Sequence, residues 1–200
     1  MEIAINLAKK GRGKVSPNPL VGCVLVKNNE IIGEGWHNDF GGPHAEVQAI
    51  ANARMDPIGS TAYITLEPCC NDGKTPQCTK FLYENGIDKV VIGSIDPNPD
   101  VKGLGVKHLE NMGIKVLVGI LEEKATLLNP GYNKWIQTGK PYVIAKFAES
   151  KDGYIGIDNN STTKITSKLA DEKIHDLRAR VDAILIGKTT AEVDNPSLTV

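Results

Sequence analysis

The chain has 200 residues, 40% of them hydrophobic and 24% charged, the composition of a soluble globular protein with enough material for one sizeable core. A net charge of −1 gives bulk electrostatics no case for nucleic acid or an anionic membrane, although a local phosphate pocket stays open. No run approaches the roughly 18 apolar residues of a membrane span, and MEIAINLAKKGRGK sets its charges after its apolar residues, the reverse of a secretory leader. A cytoplasmic location is the expectation, and in reducing cytosol clustered cysteines serve metals or catalysis more often than disulfides.

In chain order, residues 3–10 carry helical spacing, and VGCVLVK (21–27) is an apolar, β-branched run. The NNE turn and IIGEGW complete a hairpin with it. HAEVQAIANA (44–53) has helical periodicity behind Pro43, and TAYITL (61–66) is the next strand. TPQCTKFLYENG (75–86) reads as a helix with Thr75 as N-cap, Pro76 at the first position and Gly86 past the end. DKVVIGS (88–94) is a strand, a helix follows around 104–112, and IKVLVG (114–119) is a strand again. Strands alternating with helices predict a layered, partly parallel α/β domain over 1–122. Residues 123–140 read as a connecting helix and linker, closed by Gly139 and Pro141. A second unit over 141–200 has predicted strands at 142–148 and 182–187 and a helix over 167–180. Two strands and one helix have little surface to bury, so this second domain reads as cut short.

Two short pieces carry the chemistry. HAE (44–46) opens one helix, and PC (68–69) leads toward Cys78 at another. His44, Cys69 and Cys78 offer an imidazole and two thiolates, and three protein ligands on zinc leave a fourth position for water. Zinc brings the pKa of such a water to about 7, and Glu46 is placed to take its proton and pass it to a leaving amine. Helical neighbours two apart do not share a face, so His44 and Glu46 converge only if the metal lies off the helix end. His-x-Glu followed by Pro-Cys-x-x-Cys is the signature of zinc nucleobase deaminases. One element departs: Asp72 stands where the second cysteine of the short spacing falls, and the next thiol is Cys78. Cys23 reads as a small core residue and Cys70 as a bystander. His108 and His175 read as surface or packing histidines, and Trp36 and Trp135 as packing residues.

SPNPLVG (16–22), GEGWH (33–37), GGPHAEVQAI (41–50), TLEPC (65–69), GKTPQC (73–78) and DPNPDVKGLG (96–105) closely resemble the bacterial riboflavin-biosynthesis deaminase/reductases. The resemblance runs through nearly all of the chain. It implies a three-layer cytidine-deaminase-like α/β domain followed by the start of a dihydrofolate-reductase-like α/β domain. It also implies Zn2+ and NADPH as cofactors, a pyrimidine ribosyl phosphate as small-molecule substrate, and a homo-oligomer. The deaminase of such proteins replaces the 2-amino group of a diaminopyrimidinone ribosyl phosphate by a carbonyl, releasing ammonia; the reductase opens the ribose with NADPH. Carried across, the zinc ligands are His44, Cys69 and Cys78, with Glu46 as proton shuttle. Asn18, His37 and Lys74 match positions around the pyrimidine and its ribose phosphate, an ammonium suiting a phosphate dianion. In the second domain Ala148, Thr190 and Asp194 match cofactor contacts, and Thr162, Arg178 and Leu198 match substrate contacts. Asn71 stands where such proteins usually have a histidine, and Lys164 where they often have a tryptophan. The chain stops at Val200, before an arginine that usually follows LTV, so no reduction is expected of it.

The rival readings are a non-catalytic, zinc-stabilised scaffold and a deaminase of another nucleotide or of a nucleic-acid base. The missing short cysteine spacing and the second-domain sequence speak against the latter.

Overall fold

The computed structural model describes residues 1–71, 76–157 and 163–199. It divides into two units, Met1–Tyr142 and Val143–Val200. The first is built on the hairpin of β1 (Gly22–Lys27) and β2 (Glu30–Trp36). Asn28 and Asn29 at its tip both take positive φ, as a type I′ hairpin turn requires. β1 also pairs antiparallel with β3 (Thr61–Leu66), which pairs parallel with β4 (Lys89–Ser94), and β4 pairs parallel with β5 (Lys115–Val118). The sheet order is β2-β1-β3-β4-β5. The parallel half needs crossovers, and these are α3 (Cys78–Glu84) and α4 (Leu104–Asn111).

Side-chain alternation along the strands makes three layers. Cys23 and Leu25 of β1 point with Ile64 of β3 into a core shared with Ala45 and Ala49 of α2 (Ala45–Ala51), Leu82 of α3 and Leu109 of α4. Val24 points the other way, onto Ala4 and Leu7 of α1 (Glu2–Ala8). Cys23 is the core residue its mid-strand position predicts. A 3₁₀ turn, Lys9–Gly11, follows α1. Gly35 decides where α2 sits: a Cβ there would lie 2.3 Å from Ala45 O and from Ala49 N, so the helix rests directly on the β2 backbone. That close approach sets the position of the helix's first turn.

Some element ends differ from expectation. α3 begins at Cys78 with Gln77 as its cap, so Pro76 lies outside the helix; Thr75 falls outside the described residues. Gly86 does follow the helix with φ +68. The segment read as one connecting helix is two, α5 (Glu122–Thr126) and α6 (Pro130–Thr138), parted at Pro130, which opens the second. Ala125 of α5 packs against Gly93 of β4, and Leu128 joins Ile5, Ala8, Val15 and Leu20 in a small cluster. Trp135 is 49% exposed rather than a packed core residue.

In the second unit α7 (Lys168–Arg178) forms as predicted, with the Ser167 hydroxyl accepting from Ala170 N at 3.4 Å. A further helix, α8 (Lys188–Asp194), covers a stretch left unassigned by periodicity. The two predicted strands are corrected: residues 142–148 and 182–187 form no ladder. Strand formation needs a neighbour to take its N–H and C=O groups, and none pairs with these segments among the described residues. No described residue of 143–199 is buried.

Candidate metal centre and cleft

His44 is the residue just before α2, with an extended backbone (φ −70, ψ 162), whereas Glu46 lies in the first helical turn. The change of backbone between them lets residues two apart turn into the same cleft, the convergence that a continuous helix forbids. Cys69 follows the end of β3, and Cys78 opens α3 across from it. Cys78 N donates to Cys69 Sγ at 3.4 Å, and Thr79 N to Cys69 O at 3.1 Å. His44 Nδ1 lies 3.1 Å from Cys78 Sγ and 3.6 Å from Cys69 Sγ, and the three donor atoms lie within 4.8 Å of one another.

This donor set fits zinc. Zinc–sulfur and zinc–nitrogen bonds at a tetrahedral ion hold an imidazole nitrogen and a thiolate about 3.6 Å apart, close to the separations found. The three donors also perturb one another's protonation. Cys69 is held down to about 4, first by the Cys78 thiol that donates to it and next by His44. Cys78, which keeps that shared proton, is pushed up by the same bond and by burial. His44 is raised, chiefly by its bond to Cys69. Cys70 stands outside the cluster, half-buried, with its thiol toward Asn71 Oδ1 at 3.7 Å.

Glu46 is 3% exposed, and burial pushes its carboxyl above the usual carboxylate range; Cys69 adds to the rise and His44 opposes it. His37, also 3% exposed, is fixed at both ring nitrogens. Nδ1 donates to Pro43 O at 3.1 Å, a partner that only accepts, so Nε2 of the neutral ring accepts from Asn18 Nδ2 at 3.0 Å. Burial lowers the His37 pKa, keeping the ring neutral. Its ring meets that of His44 edge-on with centroids 5.6 Å apart. His44, Glu46, Cys69, His37 and Asn18 thus share one cleft of about 160 Å3. Lys74 lies outside the described residues.

Three further residues line this cleft without having been singled out by sequence. Glu67 is 4% exposed and accepts from Asp96 N (3.2 Å), Gly103 N (3.0 Å) and Val106 N (3.1 Å), tying the end of β3 to the start of α4. Asp96 is raised by burial, and Tyr132 of α6 donates its hydroxyl to Asp96 Oδ1 at 3.0 Å and lies 3.3 Å from Oδ2. The signals were an acidic residue ending an apolar strand and another opening DPNPD; Tyr132 gave none. Asn71 donates to Asp100 O at 3.4 Å, so it ties down the 96–105 loop.

Residues 1–94 match the family described as the cytidine and deoxycytidylate deaminase zinc-binding region, and residues 141–200 match the RibD C-terminal domain. The chain is 47% identical over 198 residues to the riboflavin biosynthesis protein RibD of Actinobacillus pleuropneumoniae, covering 99% of the chain and 53% of the relative. It is 44% identical over 200 residues to RibD of Escherichia coli K12, covering 100% of the chain and 54% of the relative. The chain belongs to the RibD family. Among solved structures it is similar to Acinetobacter baumannii RibD, with TM-score 0.92, 43% identity and coverage of 98% and 55% of the two chains. It is also similar to the Thermotoga maritima diaminohydroxyphosphoribosylaminopyrimidine deaminase/5-amino-6-(5-phosphoribosylamino)uracil reductase, with TM-score 0.93, 47% identity and coverage of 98% and 56%. The chain therefore spans about half the length of the RibD proteins it matches.

The RibD C-terminal domain implies NADPH. Among the described residues, the positions matched to its contacts are not buried. Thr190 and Asp194 lie exposed on α8, and Ala148 and Leu198 are half-buried. Arg178 donates from Nη1 to Ser197 O at 3.4 Å, and Thr162 lies outside the described residues. Lys164 pairs with Asp171 at 3.1 Å. No helix among the described residues is long and apolar enough to cross a membrane.

Proposed function

We propose that the first unit is a zinc-dependent hydrolytic deaminase acting on the diaminopyrimidinone ribosyl phosphate of riboflavin biosynthesis. The observation that carries this reading is a cluster of two thiols and one imidazole that meets a buried glutamate at one cleft. His44 Nδ1, Cys69 Sγ and Cys78 Sγ would hold the ion, which supplies the Lewis acidity that makes water a nucleophile near neutral pH. Glu46 takes a proton from the attacking water and delivers it to the departing nitrogen, so water oxygen bonds to the ring carbon and ammonia leaves. Its raised pKa makes the carboxylate a stronger base for the water's proton and brings it nearer the working pH, where a group that must first accept and then donate a proton is most effective. Asn18, oriented by neutral His37, brings an amide donor and acceptor to the ring, the pair a pyrimidinone edge requires. Lys74 is assigned to the phosphate.

For the second unit we take Ala148, Thr190 and Asp194 as NADPH contacts and Thr162, Arg178 and Leu198 as substrate contacts of the longer RibD arrangement. The partners proposed are the pyrimidine ribosyl phosphate and further copies of the chain, in the cytoplasm, with no role for nucleic acid or membrane. Ammonia release from the diaminopyrimidinone ribosyl phosphate, run beside cytidine and tRNA with the zinc-loaded chain, tests the reading. Release from the first alone is expected, and release only from cytidine or tRNA overturns it.

A further inference from the structure

Asn129, just before α6, and Tyr132, within it, have no part in the reaction above; Tyr132 lines the cleft, and Asn129 holds Leu20, which sits between the lining residues Pro19 and Val21. Asn129 is 7% exposed. Its Oδ1 accepts from Leu20 N at 2.7 Å, and its Nδ2 donates to Leu20 O at 2.9 Å. One side chain thereby satisfies both backbone groups of a residue 109 positions away, as a neighbouring strand would. Leu20 lies two residues after Asn18, whose amide holds His37. Tyr132, three residues further on in α6, lines the cleft and donates its hydroxyl to Asp96. A four-residue stretch thus grips a loop carrying Asn18 and a loop beginning at Asp96.

Apolar packing alone would anchor this stretch, since Leu128 is already buried among Ile5, Ala8, Val15 and Leu20. A buried amide adds little to such an anchor unless its bonds are met, and both of the bonds it makes go to the loop that shapes the cleft. The Tyr132 hydroxyl is likewise spent on the cleft carboxylate.

We propose that Asn129 and Tyr132 are positioning residues of the deaminase cleft, Asn129 setting the Asn18 loop and Tyr132 holding the Asp96 carboxylate. The segment that reads as an interdomain connector is then part of the deaminase unit. The inference rests on the deaminase reading for its kinetic consequences, and on geometry alone for its effect on Leu20.

The test uses the full chain loaded with zinc. Asn129→Ala removes both bonds, Asn129→Asp keeps the acceptor but sets a carboxylate against Leu20 O, and Tyr132→Phe removes one hydroxyl. Asn129→Ala is expected to raise KM for the diaminopyrimidinone ribosyl phosphate about tenfold, with kcat and zinc content kept within about threefold. Tyr132→Phe is expected to raise KM about threefold with no change in melting temperature. A lowered melting temperature with unchanged KM in the folded fraction overturns the proposal, because that is how a packing residue behaves. Should Asn129→Ala not fold, Asn129→Asp and Tyr132→Phe carry the same comparison. Amide exchange gives a readout free of turnover: the Leu20 amide should exchange at least about tenfold faster in Asn129→Ala or Asn129→Asp while β3 amides stay unchanged. An unaltered Leu20 rate overturns the brace. If the parent chain releases no ammonia from this substrate, the functional reading falls, and the Leu20 rate still decides the inference.

Discussion

TAYITL and YVIAKFA are equally good strands on paper, and the molecule treats them oppositely. The first, β3, pairs on both edges and buries Ala62 and Ile64 completely. The second forms no ladder, and Val143 and Phe147 are 80% and 71% exposed. Helices show no such split: α3 of the first unit and α7 of the second both form. A helix meets its backbone hydrogen bonds within itself, whereas a strand depends on residues far away in sequence. The contrast between a unit with a three-layer core and one with no buried described residue is therefore a contrast in available partners.

Hydrogen exchange should show this contrast most strongly. Amides of β3 and β4 are expected to be protected about 10³-fold or more beyond those of 143–199. Comparable protection in both units would break the comparison. Glu46→Gln keeps the size and burial of the side chain but cannot carry a proton, and should cost about 10²- to 10⁴-fold in deamination rate. Zinc content, measured alongside, should not change, and near-normal turnover would remove Glu46 from the mechanism. Ile64→Ala should destabilise the first unit by about 2–5 kcal/mol in a denaturant titration. The matching change in the second unit, Leu185→Ala at a side chain 98% exposed, should stay within about 0.5 kcal/mol.

The smallest effect concerns pH. Burial lowers the His37 pKa below its ordinary 6.5, so the unfolded chain binds that proton more readily than the folded one. The contribution of neutral His37 is complete above the ordinary value and declines as pH falls below it. Denaturation midpoints of the first unit at about pH 7.5 and about pH 5.5 should differ less in His37→Gln than in the parent. An identical pH dependence in both would mean the buried ring does not titrate on folding.

Much of the cleft was legible in linear form. HAE and PC with Cys78 pointed to imidazole, thiolates and proton shuttle because each residue type has a narrow chemistry, and the structure brings those side chains together. The hairpin was legible because Asn-Asn tolerates the positive φ its turn demands. The pairings of Glu67, Asp96, Asn129 and Tyr132 were not, because their partners are backbone groups or side chains from 29 to 109 residues away, and such pairings leave no local pattern.

By itself, then, the sequence determined helices, turns, the alternation that sorts one strand face from the other, and the chemistry of the metal-binding set. These depend on neighbours within a few positions or on the character of single side chains. Only the tertiary structure decided which apolar runs become strands, how residues two apart at one helix end face a common cleft, and that a connector reaches back to Leu20. Those outcomes depend on backbone groups finding distant partners, and on Gly35 letting α2 rest close enough to β2 to aim its first turn.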